Sequence, residues 1–193
     1  MSYTKRFLAP KLKSFLDEEL SPKIVNPVAC FLEAAKACVG IVEEGGDNRG
    51  PMVEAFQSTI GGANGQSWCL SFIQALTAYV EDRFGVVSNL PLTELVAALW
   101  DKTPVEVRVT AENVQPGDLI LWQYGATSKG HVGIVTNVLF KLLRTIEGNT
   151  SDSKEIDREG DGVYEKERSL IGTTNMHVLG YLRPAYNSLG AKS

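Results

Sequence analysis

The stretch Gly61–Gly85, GGANGQSWCLSFIQALTAYVEDRFG, begins as a Gly-rich loop and becomes an amphipathic helix around its one cysteine, Cys69. Ile73, Leu76 and Val80 follow Cys69 at offsets of four, seven and eleven, which lays one apolar stripe along a helix over residues 68–83. A cysteine in a first helical turn sees the partial positive charge of the helix N-terminus, which favours the thiolate. The free backbone N–H groups of the same turn suit an oxyanion formed by attack on a carbonyl. The competing reading of Cys69 is a small residue filling a core.

Upstream, Leu12, Phe15, Leu16 and Leu20 predict a short amphipathic helix over residues 10–20, whose polar face, with Asp17, Glu18 and Glu19, is too acidic for a membrane-surface helix. In NPVACFLEAAKACVG, Asn26 is a candidate N-cap, Pro27 a first helical residue and Gly40 a stop. Cys30 and Cys38 lie within that helix and read as small core hydrophobes. A further helix begins near Pro51 after the loop VEEGGDNRG, and Thr93 is a candidate cap for ELVAALW. Beyond residue 104 the period changes. VEVRV, GDLILWQ, HVGIVTNVLF, LLRTIEG, GVYEKER and HVLGYLRP are strand-like segments separated by Gly, Pro or polar turns. Helices first and strands afterwards predict an α+β domain with helices packed on a mostly antiparallel β-sheet.

The 193 residues suit one domain with an N-terminal arm. A formal net charge of −4 supplies no basic field for nucleic acid, and no apolar run is long enough for stable membrane insertion. Three cysteines without metal spacing argue against a disulfide framework or a zinc site. The first twenty residues interrupt any apolar core with lysines and carboxylates, so no secretory signal is expected. The expectation is a chain made in the cytoplasm and, if it acts elsewhere, delivered by a separate export, injection or lysis system. The sequence leaves its oligomeric state open.

Thiol catalysis needs a base that can take and return a proton, and a group that orients the base. Of the two histidines, His131 opens the strand after the turn GATSKG, whereas His177 reads as a packing or surface residue. If residues 131–148 form a hairpin, IEGN ends its second strand near His131. Glu147 and Asn149, two apart on an extended strand, would then share one face, and either could accept the ring N–H.

GQSWCLSFIQAL, PGDLILWQ, GHVGIVTNV and IEGNTSD, in this order, resemble the cysteine, histidine-dependent amidohydrolase/peptidase (CHAP) domain of the papain-like NlpC-type superfamily of murein hydrolases. The resemblance runs from about Val28 to Pro184, with Leu70 standing where the family often has a small residue. It implies a papain-like fold and boundaries of an N-terminal helical arm over 1–25, a catalytic domain over 26–187 and a flexible tail over 188–193. It also implies roles: Cys69 the nucleophile, His131 the general base and acid, Glu147 the orienting residue, and Asn149 an additional polar partner. The expected substrate is peptidoglycan or a muropeptide, cut between muramic acid and L-Ala or within the stem or cross-bridge peptide. Trp68 and Gly130 beside the catalytic pair, with Asp47 for a free amine and Arg49 for a carboxylate, are the expected substrate contacts. No cofactor is expected. Calcium is the alternative, because some members of the family bind it and SDSKEIDREGDG holds Asp152, Asp157 and Asp161, although not at EF-hand spacing. A silent wall-binding module, and a thiol enzyme acting on a non-murein amide or acyl group, are the other readings compatible with the resemblance.

Overall fold

The change of period near residue 104 is realised as a change from helices to sheet. The computed structural model describes residues 5–62, 64–127, 129–153, 160–173 and 176–188. Helices α1 (Pro10–Glu19), α2 (Pro27–Ala37), α3 (Pro51–Ser58) and α4 (Cys69–Phe84) come first, followed by a short strand β1 (Val86–Ser88) and helix α5 (Val96–Lys102). Strands β2 (Arg108–Val109), β3 (Leu119–Tyr124), β4 (Gly130–Leu139), β5 (Leu142–Thr150), β6 (Gly162–Ser169) and β7 (Met176–Leu182) form an antiparallel sheet in the order β2-β7-β3-β4-β5-β6. The α+β, papain-like arrangement expected from the sequence is therefore present. No helix among the described residues is long and apolar enough to cross a membrane.

Local chemistry explains most of the helix starts. Asn26 Oδ1 accepts from the N–H groups of Val28 (2.9 Å) and Ala29 (3.0 Å), and Pro27 occupies the first helical position. The apolar stripe of α1 joins the main core, where Leu12 and Leu16 are wholly buried with Cys30 and Cys38. Burial raises the pKa of both of these thiols. Ahead of α1, Arg6 reaches across to α4. Its Nε donates to Gln74 Oε1 at 2.6 Å, and its Nη1 pairs with Glu81 Oε1 at 2.6 Å.

Three local expectations are corrected. Helix α5 starts at Val96, and Thr93 makes only a long 3.4 Å contact with the Leu95 N–H in the preceding turn. VEVRV is a strand only at Arg108–Val109, because residues 105–107 close a 3-10 turn on the Pro104 carbonyl. The first residue of the expected tail, Ser188, belongs to strand β8 (Tyr186–Ser188), which pairs with β1; three-residue strands are too short to carry a periodic signal.

The sheet has two apolar faces. Leu119, Leu121, Val132, Ile134 and Ile146 join the core that contains α4, and Ile120, Trp122, Val135 and Leu143 form a second, smaller cluster. Alternation therefore sends His131, Thr145 and Glu147 toward the Trp122 side. Helix α4 sits hard against β5 at Gly148, where a Cβ would lie 2.8 Å from Trp68 Cζ3 and 2.9 Å from Phe72 Cβ. Gly148→Ala is expected to lower stability by about 1–3 kcal/mol through overpacking, seen as a lower urea midpoint at unchanged slope. A wild-type midpoint would show that α4 does not need this approach.

Candidate active site

Cys69 opens α4. The helix has no side-chain cap, so the N–H groups of its first turn are free of intrahelical acceptors. What fixes the turn is the preceding residue. Asn149 Oδ1 accepts from the Trp68 backbone N–H at 2.7 Å, and Asn149 Nδ2 donates to the Gly160 carbonyl at 2.9 Å. The Cys69 side chain is nearly enclosed, at 9% exposed, and lines a cleft of about 340 Å³. Ser67, Tyr124, Gly130, His131 and Asn149 share its wall, and Glu94 and Lys129 supply one acidic and one basic group.

His131 lies on β4 opposite Trp122 of β3, and the two rings stack at 5.7 Å between centroids. Its Nε2 is 2.9 Å from Glu147 Oε2. Since an ionised carboxylate only accepts, Nε2 carries the proton of that bond and Nδ1 is left toward Cys69, whose proximity helps raise the ring's pKa. Glu147 reaches the ring because Gly133, its cross-strand neighbour, has no side chain: a Cβ there would lie 2.8 Å from Glu147 Cγ.

The Glu147 carboxylate is wholly buried. Thr145 Oγ1 donates to Oε1 at 2.5 Å, Arg168 Nε donates to Oε1 at 2.8 Å, and Arg168 Nη2 donates to Oε2 at 2.6 Å. Burial by itself would raise the carboxyl's pKa, but the bonds from Arg168 and His131 outweigh it and hold it at about 2. For His131, burial opposes the charged ring. Hydrogen bonds and charge from Cys69 and Glu147 prevail and raise its pKa to about 9. The geometry is that of a buried chain of thiol, imidazole, carboxylate and guanidinium, able to hold a thiolate–imidazolium pair beside unpaired backbone donors.

The structure brings together Cys69, His131 and Glu147, and separates them from several other expected residues. Asn149 does not share the ring: its φ is +56°, an extra residue enters β5 between Glu147 and Thr150 against β6, and the alternation assumed for an extended strand is broken. It anchors the start of α4 instead. Trp68 is wholly buried, stacked on Phe56, with its indole N–H given to Glu43 Oε1 at 2.8 Å, so it presents no surface to a ligand. Glu43 also accepts the Asn48 N–H at 2.7 Å, which makes this acidic group of the VEEGGDNRG loop a support for Trp68. Asp47 and Arg49 are exposed on that loop and are not among the described residues lining the cleft, whereas Gly130 is. Leu70 is core, which explains its size.

Arg168, Thr145, Glu94 and Lys129 escaped the sequence reading. The one available signal for Arg168 was EKER, in which basic residues alternate with acidic ones, but alternation alone does not say which set faces inward. Of the three aspartates considered for calcium, Asp157 lies outside the described residues, Asp161 accepts from the Tyr164 hydroxyl at 3.1 Å and Asp152 lies just after the end of β5. Among the described residues no group of three or more His, Cys, Asp or Glu is arranged to hold a metal ion.

No curated protein matches the sequence. Residues 61–149, however, match the family model of the CHAP domain, a span that runs from the loop before α4 to Asn149 and takes in Cys69, His131 and Glu147. Over residues 61–149 the sequence is thus similar to the CHAP domain, a cysteine/histidine-dependent amidohydrolase/peptidase domain.

Proposed function

We propose that the domain hydrolyses an amide bond of peptidoglycan, either N-acetylmuramoyl-L-alanine or a bond of the stem or cross-bridge peptide, with Cys69 as nucleophile. The observation that carries this reading is the buried chain from Cys69 through His131 to Glu147 at the wall of an open cleft. The murein substrate is supported by the family, and by a cleft holding Glu94 and Lys129, which suit the free amine and carboxylate of peptide stems.

In this mechanism the Cys69 thiolate attacks the amide carbonyl carbon, and the C=O electron pair moves to oxygen. The first-turn N–H groups of α4 stabilise that oxyanion. As the intermediate collapses, the C–N bond breaks and the His131 Nδ1 proton passes to the leaving amine, leaving a thioester and a neutral ring. Water then attacks the thioester, giving its proton to Nδ1, and the released acid restores the thiolate–imidazolium pair. Glu147 holds the ring through Nε2–H in both halves. Every step uses side chains and backbone of this chain, so activity in the presence of a chelator is the proposed behaviour.

Digestion of purified sacculi, with mass spectrometry of the released fragments, tests the assignment. Wild-type protein is expected to release fragments with new termini that name the bond. Cys69→Ala is expected to bind fragments while cutting at least about 10⁴-fold more slowly. Equal release by both proteins would sink the thiol mechanism.

The proton inventory gives a second test. Because the His131 pKa is raised to about 9, the imidazolium that protonates the amine persists below that pH and is lost above it. Amide turnover is expected to fall as pH rises through about 9, about tenfold per unit beyond it, with a weaker fall on an activated ester whose leaving group needs no proton. Identical alkaline limbs for the two substrates would remove His131 as the acid.

A further inference from the structure

The thiol–imidazole–carboxylate chain does not end at Glu147. Arg168 on β6 approaches the carboxylate edge-on with two donors, Nε to Oε1 at 2.8 Å and Nη2 to Oε2 at 2.6 Å, and both side chains are shut away from water, at 4% and 0% exposed. The sheet register accounts for the meeting. Leu143, Thr145 and Glu147 of β5 pair with Arg168, Lys166 and Tyr164 of β6, and side chains of alternate residues share one face. Arg168 also lies near Trp122, 6.0 Å from the ring on which His131 stacks. The same surroundings hold Cys69 from α4, Thr145 from β5, and Lys166 from β6, whose Nζ donates to the carbonyl of Ser151 at 2.5 Å. Tyr124, Lys129 and Glu94 line the same cleft as the ring.

During turnover the ring passes between imidazolium and neutral imidazole. If the imidazolium were the sole counter-charge of Glu147, each departure of its proton would strand a carboxylate in a place without water, which is costly. The ring would then hold its proton too tightly to act as an acid. A guanidinium does not titrate in this range, and its fork fits a carboxylate along both oxygens.

We infer that Arg168 is a positioning residue of this site, the permanent counter-charge that keeps Glu147 ionised and aimed at His131 whether or not the ring carries its second proton. The inference rests on the proposed roles of Cys69 and His131. With Arg168 in place, Glu147–Arg168 and thiolate–imidazolium are two neutral pairs, so a proton can leave the ring without unbalancing the carboxylate.

The test follows the His131 ring by NMR against pH in substrate-free protein. The chain has two histidines, and a His177→Gln background assigns the signals. The wild-type midpoint is expected at about 9. Arg168→Met, which removes a nearby cation but leaves the carboxylate, is expected to raise it by about one unit, and to lower amide kcat by about 10²-fold with little change in KM. Arg168→Lys keeps the charge and is expected to titrate near wild type. In Glu147→Gln/Arg168→Met both charges are gone while Cys69 remains, and the midpoint is expected to fall below the wild-type value. A wild-type midpoint in Arg168→Met overturns the inference. Should that variant fail to fold, the double variant decides: a ring titrating at wild-type pH without Glu147 and Arg168 overturns it equally. Because the titration needs no substrate, absence of murein cleavage would overturn the proposed activity and leave this result standing, and the converse holds.

Discussion

A carboxylate with no exposed surface governs the architecture around the site. Glu147 is ionised in a place from which water is excluded, and removing a charge from water is costly unless it is both paired and hydrogen-bonded. Its two oxygens receive the Thr145 hydroxyl, two N–H groups of Arg168 and one ring nitrogen of His131. Two of the partners come from neighbouring strands whose register must be right to within one residue, because a slip of one would send His131 or Arg168 to the other face of the sheet. The geometry of the site and the sheet register are thus the same constraint. Gly133 belongs to it as well, since the path from Glu147 to the ring crosses the space a β-carbon would fill.

A second junction brings the thiol to this sheet. Gly148 lets Trp68 and Phe72 of α4 pack directly on β5, and the next residue, Asn149, turns its side chain to the Trp68 backbone N–H. Trp68 is in turn held by Glu43 and Phe56. The Glu-Gly-Asn run therefore serves three purposes in three consecutive residues: charge for the histidine, closeness for the helix, and an anchor for the residue before Cys69. The positive φ of Asn149 is what allows the change of direction after Glu147. Such strain at a bulge is tolerated where surrounding bonds determine it, and both ends of the Asn149 amide are bonded.

Much of this was legible in the residues. The Asn26 cap, the stripe on α4 and the change of period are short-range patterns, and short-range patterns survive in a linear reading; the trio Cys69, His131 and Glu147 is singled out by the family resemblance. Trp68 was misjudged as a substrate contact for a definable reason. An aromatic residue beside a nucleophile is equally compatible with the cleft and the core, and only its stacking on Phe56 and the bond to Glu43, 25 residues earlier, decide between them. Asn149 was placed on the face of Glu147 by assuming an unbroken strand, and a single extra residue against β6 removed that assumption.

What the sequence by itself determined is the set of elements and the chemistry on offer: a thiol at a helix start, a histidine at a strand start, a carboxylate at a strand end. Those follow from periodicity, caps and turns, which act over a few residues. Tertiary structure alone decided that Asn149 anchors the Trp68 backbone, that Arg168 balances Glu147 from 21 residues away, and that Glu94 and Lys129 face the cleft. These outcomes depend on strand pairing and on the cost of an uncompensated charge away from water, and neither is a property of any short stretch of chain.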